Sequence, residues 1–337
     1  MSSQNNQEKI SSEKMKAAVY YRYGSPDVIN VLEVEKPAPK DGEVLVRVCA
    51  ASVNAYDWHL LRAAPFFTRF LSGLFKPRNN ILGADIAGVV ESAGKQFNPG
   101  DEVYGCLESC GKGGLAVGGF AGYVCAKETV LAPKPLGATF EEAAALPMAA
   151  ITALQGLRDN GRLKAGQSVL INGASGGVGI FAVQIAKALG AEVTGVCSSA
   201  SAETIRSLGP DYVIDRQHDD FVRNGRQYDL ILDVAATLSI EDYRRLLKPG
   251  GTCVVVGFST IAHMLSVAFA AKRDGKKITV LAANNKNNGD LLALNDLFAA
   301  GKVRPVIDSS YTLDETADAI HHVESGHPKG KVINRIT

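Results

Sequence analysis

Short valine-rich runs broken by Gly, Pro and Asn fill the chain from Lys16 to about Leu131, and this pattern predicts strands. The expected strands are Met15–Tyr21, Glu43–Ala51, Gly88–Ala93 and Glu102–Tyr104, with turns at Lys40-Asp41-Gly42 and Asn98-Pro99-Gly100. A β-rich, barrel-like domain follows from them. One segment departs from the rhythm. Between Arg62 and Arg78, residues Phe66, Phe67, Phe70, Leu71, Leu74 and Phe75 recur at helical spacing. That predicts a short amphipathic helix, either packed on the core or capping a cleft, with the core-facing placement preferred.

After Glu141 the texture changes. A helical stretch, Glu141–Asn160, leads to an apolar strand, Ser168–Asn172, a glycine turn and a helix from Gly177 to Leu189. Buried-type strands are expected at Glu192–Cys197, Asp211–Ile214, Asp229–Val234, Thr252–Gly257 and Lys277–Ala282, with helical stretches between most of them. Continuous Val/Ile/Leu strands alternating with helices predict a parallel sheet covered on both faces, so the fold class is α/β. Leu291–Ala300 is another helix, and 302–337 carries strand, helix and strand signals that can return to the first domain. The expected organisation is a disordered tail over 1–14, a β domain over 15–140, a nucleotide-type domain over 141–285 and a returning segment over 286–337.

Composition narrows the function. The 337 residues carry 36 Lys plus Arg against 35 Asp plus Glu, a net charge of +1, which argues against a nucleic-acid or membrane-surface role. Six cysteines are too few for a disulfide scaffold. Met1–Lys14 is polar, includes Glu8 and Glu13, and has no apolar stretch, so it reads as neither an export nor an organellar signal. No run of 18 apolar residues appears, and a soluble cytoplasmic protein is expected. Glycine is in excess, 34 of 337, against a usual share of about 7%.

The most informative glycines lie between Ser168–Asn172 and the following helix. Ala174-x-Gly176-x-x-Gly179 is a dinucleotide fingerprint with Ala in its first position. The first small residue permits the turn, Gly176 lets backbone approach a pyrophosphate, and Gly179 lets the helix pack on the strand. Backbone N–H groups at Gly177 and Val178, with Ser175 beside them, would face the phosphates. The same residues also read Gly173-x-Ser175-x-Gly177, a nucleophile elbow, so a serine hydrolase using Ser175 is an alternative from another class. The extra glycines and the long preceding β domain favour the nucleotide. At the end of the second strand, where NAD sites place an acid, this chain has Val196-Cys197-Ser198-Ser199 and no carboxylate. The Ser198 and Ser199 hydroxyls suit a 2′-phosphate, so NADPH is the expected cofactor. Arg216 is the first candidate for its cationic partner, followed by Arg206 and Lys331.

With these residues in view, the chain resembles the medium-chain dehydrogenase/reductase superfamily, in its zinc-free quinone oxidoreductase-like branch. The likeness runs from Met15 to Thr337. It rests on Gly83-Ala84-Asp85-Ile86-Ala87-Gly88-Val89-Val90, Pro99-Gly100-Asp101-Glu102-Val103, the glycine turn and the closing Gly330-Lys331-Val332. It implies a GroES-like β-barrel domain, a Rossmann doubly wound domain inserted in it, and an active site in the cleft between them. Zinc members carry Cys-His-Ser/Thr-Asp where this chain reads Asn54-Ala55-Tyr56-Asp57, Gly-His-Glu where it reads Gly83-Ala84-Asp85, and a Cys near Ala149. The Cys and His metal ligands thus have no counterparts, and no metal is expected.

Without a Lewis acid, the accessible chemistry is hydride transfer to an acceptor already conjugated with a carbonyl, a quinone or an enone. Negative charge then develops on oxygen and needs only hydrogen-bond donors and placement. The resemblance makes Asn54 and Tyr56 the candidate catalytic residues, with Asn54 also near the cofactor. It places Thr152, Val234, Gly257 and Phe258 along the cofactor. Tyr56, Trp58, His59 and the Phe66–Phe75 segment, with Phe66 and Phe67, would wall an apolar substrate cleft. A homodimer is in keeping with the resemblance, with Lys277–Ala282 available for edge-to-edge pairing. A catalytically silent NADPH-binding regulatory or scaffold protein is the remaining alternative.

Overall fold

The computed structural model describes residues 13–64, 69–107, 118–257, 266–267, 272–273, 275–281, 283–285 and 287–337. The strands of the first part are β1 (Lys14–Val19), β2 (Asn30–Glu35), β3 (Glu43–Val53), β4 (Asp85–Val90), β5 (Glu102–Cys106), β6 (Tyr123–Lys127) and β7 (Leu131–Pro133). β1 and β2 form a hairpin-like pair. Lys14, expected in the tail, opens β1 opposite Glu35, and Lys36 holds Glu13 at 2.9 Å. The 11-residue β3 is the organising strand: it pairs antiparallel with β4, with β6 and with the chain's last strand, β16 (Lys331–Arg335). Its inward positions Val44, Val46, Val48 and Ala51 are all buried. This alternation is the reason a Val-rich run closes one face of a sheet.

The second sheet contains β8 (Ser168–Asn172), β9 (Glu192–Cys197), β10 (Tyr212–Asp215), β11 (Tyr228–Asp233), β12 (Leu247–Val255), β13 (Lys272–Arg273) and β14 (Lys276–Val280). Their order is β10-β9-β8-β11-β12-β14-β13, all parallel except β13. The order reverses between β8 and β11, the switch point at which doubly wound sheets bind ligands. Every residue of β8 is buried, as a strand covered on both faces requires. The expected edge strand Lys277–Ala282 is not outermost, since Lys272 and Arg273 pair with Lys277 and Lys276. β15 (Ile307–Thr312) and β16 rejoin the first sheet.

The helices are α1 (Ala55–Arg62), α2 (Arg69–Ser72), α3 (Phe140–Ala145), α4 (Pro147–Leu154), α5 (Gly177–Ala188), α6 (Ala202–Ser207), α7 (Ile240–Leu246), α8 (Gly289–Ala299) and α9 (Thr316–Glu324). The single helix expected over Glu141–Asn160 is broken. Thr139 and Glu142 form a capping box for α3, Pro147 restarts the chain as α4, and 155–160 continues as a π-helix. These helices join the two sheets. One hydrophobic cluster contains Ala50, Ala87 and Tyr104 of the first sheet, Ala143–Leu146 and Ala149–Ile151 of the helices, and Val169 and Ile171 of the second. The two sheets therefore share a continuous core.

Among the described residues, the amphipathic helix expected between Arg62 and Arg78 is not continuous. α1 ends at Arg62, Ala63 takes a left-handed φ of 48°, and the described residues are helical again over Arg69–Ser72, α2. Phe66 and Phe67 lie outside the described residues. Phe70, Leu74 and Phe75 are 66%, 43% and 90% exposed, so for these three the core-facing placement is overturned. The inward positions are Ser72, Gly73 and Pro77 instead. Tyr23 secures them, its hydroxyl 2.9 Å from Ser72 Oγ and donating to Gly73 O at 2.6 Å.

Candidate active site

β3 ends at Val53, and Asn54 turns the chain into α1. Asn54 is extended (φ −122°, ψ 161°) and forms a capping box with Asp57, whose Oδ2 accepts the Asn54 N–H at 2.8 Å. Asp57 Oδ1 accepts the Gly83 N–H at 2.9 Å, which ties α1 to the approach to β4. Burial pushes the Asp57 carboxyl up to about 7, against the pull of those two N–H groups. Asp85, the first residue of β4, is also wholly buried. It accepts from Asn54 Nδ2 at 3.0 Å and from the Met148 N–H at 3.1 Å in the first turn of α4. Its pKa is raised by burial and opposed by the charge of Lys331.

Lys331 completes the group. It opens β16, is 3% exposed, and donates Nζ to Asn54 Oδ1 at 2.5 Å. Burial lowers its pKa while Asp85 and Asp57 pull it back up. The Asn54 side chain thus links a buried ammonium to the Asp85 carboxylate, while its backbone N–H holds Asp57. Both Asn54 amide protons are committed, one to Asp85 and one to Ser52 O at 3.3 Å. The expected role of Asn54 as a direct donor to substrate gives way to one of holding Lys331 and Asp85 together. This donor set does not fit zinc: an ammonium stands against the amide, and the nearby carboxylate is occupied by N–H donors. Among the described residues, no three His, Cys, Asp or Glu side chains are grouped to hold a metal.

Lys331 also lies beside the glycine turn. A methyl group placed on Gly177 would lie 3.3 Å from Lys331 Cδ and 4.0 Å from Nζ. The turn itself is built as the fingerprint requires. Ala174 is buried, with its N–H on Val196 O at 2.9 Å. Gly176 is the N-cap of α5, and Ser175, Gly176, Gly177 and Val178 remain partly accessible. A Cβ on Gly176 would meet nothing nearer than Gly173 O at 3.6 Å, so the protein leaves space above this backbone. The first N–H groups of α5 have no preceding helical carbonyl to bind, which suits them to phosphate oxygens. Residues and space therefore fit a dinucleotide. Among the described residues, no hydrogen bond joins Ser175 to a histidine, so the hydrolase reading finds no triad.

The strand ends carry the remaining candidates. Val234, half-buried after β11, donates its N–H to Asn172 O at 2.9 Å. Asn172 and Asp233, at the ends of β8 and β11, are bonded at 2.8 Å, and Tyr243 caps Asp233 at 2.7 Å; sequence inspection missed this pair. Gly257 has a φ of 78° beyond β12, and Phe258 lies outside the described residues. Thr152 is buried on α4, with its hydroxyl on Met148 O at 2.6 Å.

Beyond β9, Ser198 is half-buried and Ser199 exposed. Although no acid follows β9 in sequence, Asp215 at the end of β10 stands against Ser199 and accepts its hydroxyl. That bond holds the Asp215 carboxyl below the usual range. Arg216 is exposed, with its N–H on Cys197 O at 3.0 Å, and makes no ion pair among the described residues. Lys331, ranked behind Arg216 as a 2′-phosphate partner, is instead buried beside Gly177 and Asn54.

The residues expected on the substrate side lie on α1. Tyr56 and Trp58 are half-buried and pack on the first domain's core. His59 stacks on Trp58 with ring centroids 3.6 Å apart, and its Nδ1 lies 3.0 Å from Ala64 O, which can only accept. Burial lowers its pKa, favouring a neutral imidazole.

Comparison with known proteins agrees with this fold. Residues 40–136 match the alcohol dehydrogenase GroES-like domain, and 208–333 match a family described as zinc-binding dehydrogenase. A 2-methylene-furan-3-one reductase of Solanum lycopersicum is 34% identical, over 95% of this chain and 79% of its own length. A chloroplastic NADPH-dependent alkenal/one oxidoreductase of Arabidopsis thaliana is 32% identical over the same shares. The solved quinone oxidoreductase from Coxiella burnetii superposes with a TM-score of 0.85 at 28% identity, covering 96% of this chain and all of that one.

Proposed function

We propose that this chain, which belongs to the medium-chain dehydrogenase/reductase family in its quinone oxidoreductase branch, reduces quinones or α,β-unsaturated carbonyls with NADPH and without zinc. When bound, the cofactor supplies the hydride. The chain's own residues bind, orient and polarise. The N-terminus of α5, with the Lys331 ammonium beside Gly177, draws the pyrophosphate into the turn. Asn54 holds that ammonium at the cleft, where it favours negative charge developing on a substrate oxygen. Tyr56 on α1 is the hydroxyl we assign to that oxygen. The observation that carries the reading is the position of Lys331, bonded to Asn54 and beside Gly177 of the cofactor turn. The names of the relatives support the acceptor class. NADPH oxidation with a panel of enones and quinones tests the reading, and it is expected to persist in the presence of chelator. Strict dependence on added zinc would sink the mechanism.

Arg216 is the proposed 2′-phosphate partner. Arg216→Ala is expected to raise KM for NADPH by about 10- to 100-fold, the worth of one charge-assisted hydrogen bond. KM for NADH should change little, because Asp215 and Ser199 remain. Parallel initial-rate measurements with the two cofactors check this; equal losses would assign Arg216 a structural role. A cytoplasmic homodimer is part of the same proposal. Among the described residues, no helix is long and apolar enough to cross a membrane.

A further inference from the structure

The overall charge balance conceals a local imbalance. From Arg62 to Ala84 the chain has four basic residues, Arg62, Arg69, Lys76 and Arg78, and no Asp or Glu. The same stretch carries the most exposed aromatic side chain described, Phe75 at 90%, together with Phe70 at 66% and Leu74 at 43%. Large apolar side chains grouped on a soluble surface mark an interaction site.

Their exposure is enforced by the backbone. The Arg78 N–H bonds Ser72 O at 2.8 Å and closes a tight turn. Within it Gly73 has a φ of 124°, and a Cβ there would lie 2.1 Å from Lys76 O. Tyr23 bonds Ser72 and Gly73 from beneath, and the Arg69 guanidinium lies 5.0 Å from the Tyr23 ring. With small residues tied inward, Phe70, Leu74 and Phe75 point outward. Lys76 and Arg78 are exposed beside them, while Arg62 is paired with Glu324.

We infer that this turn docks the protein on an anionic lipid surface, with Phe70, Leu74 and Phe75 entering the headgroup–acyl boundary and Lys76 and Arg78 meeting lipid phosphates. Aromatic and aliphatic tips flanked by cations are the pattern of interfacial membrane contacts. Charge selects this occupant over a second copy of the chain. A symmetric contact would bring the acid-free turn against itself, cation facing cation. The inference is independent of the reaction, and its test requires no turnover.

Flotation of the full chain with phosphatidylcholine vesicles, with and without phosphatidylserine, tests it. Binding is expected with phosphatidylserine, at least about tenfold weaker without it, and weakened by salt because exposed charges are screened. Lys76→Gln with Arg78→Gln should weaken binding about thirtyfold, each cation contributing about fivefold. Phe70→Ser with Phe75→Ser should weaken it at least about tenfold, through loss of apolar insertion. Unchanged far-ultraviolet circular dichroism and thermal midpoint establish that the variants are folded. The inference is overturned by absence of binding to phosphatidylserine vesicles, by variants that bind as the parent does, or by a concentration-dependent dimer that Phe75→Ser dissolves.

Discussion

Gly179→Ala yields no stable folded protein, whereas Gly176→Ala folds normally and loses cofactor affinity: this is the expected outcome for two equally conservative changes three residues apart. A Cβ at Gly179 would lie 2.1 Å from Gly173 O and 2.7 Å from Ala174 C and Cα, all backbone atoms. Relief requires α5 to move off the turn, which breaks the Gly173 and Ala174 N–H bonds to Val196 O. Strain of this kind belongs with the exceptional losses, on the order of 4–5 kcal/mol, comparable to much of a domain's net stability. At Gly176 the nearest atom to a new Cβ is 3.6 Å away, an ordinary contact. There the methyl obstructs only an incoming pyrophosphate, and a displacement near 1 Å is worth up to about a hundredfold. Soluble yield, thermal midpoint and KM for NADPH separate the two. A folded Gly179→Ala protein, or a Gly176→Ala protein with unchanged KM, would show that the turn does not serve as described.

Lys331→Met is the second large effect, and it combines two losses. It removes the only cation hydrogen-bonded within the Asn54–Asp57–Asp85 group described here, leaving two buried carboxylates without their counter-charge. Breaking a buried pair in this way costs ~3–5 kcal/mol. At about 2–4 °C per kcal/mol, the thermal midpoint should fall by about 6–20 °C. The variant also removes positive charge from the start of α5, so KM for NADPH should rise. Adding Asp85→Asn to Lys331→Met should recover at least half the lost stability. With Lys331 gone, Asn54 can turn its amide to accept from the new one, and Asp85→Asn retains an oxygen for the Met148 N–H. The raised KM should persist in the double variant, because the ammonium stays absent. A double variant as unstable as the sum of its parts would show that the charges are uncoupled.

The sequence was most legible where one local pattern sufficed. β8 and β9 begin and end at the expected residues, Ser168–Asn172 and Glu192–Cys197, because each is an apolar run bounded by polar or glycine positions. Ala174, Gly176 and Gly179 could be assigned distinct tasks from spacing alone, since a turn between strand and helix has few backbone solutions. Legibility failed where a pattern had two physical readings. The phenylalanines from Phe66 to Phe75 suggested a core-facing helix, yet among the described residues Phe70 and Phe75 are exposed and the small residues Ser72 and Gly73 are turned inward. The raised pKa values of Asp57 and Asp85 come from burial that no spacing reveals.

By itself, the sequence determined the α/β class and the glycine turn suited to a dinucleotide, because both are properties of neighbouring residues. The resemblance it carries implied that Asn54 and Ala84 stand where zinc members have metal ligands. Only the tertiary structure decided which charges meet. Lys331 reaches Asn54 across 277 positions, and Asp215 reaches Ser199 from the adjacent strand, filling with a carboxylate the place that looked acid-free. Contacts of that range follow from how β16 closes the first sheet and β10 flanks β9. At the buried Lys331–Asn54 contact, exclusion of water strengthens the attraction while desolvating the charge costs energy, whereas the Asp215–Ser199 contact stays exposed.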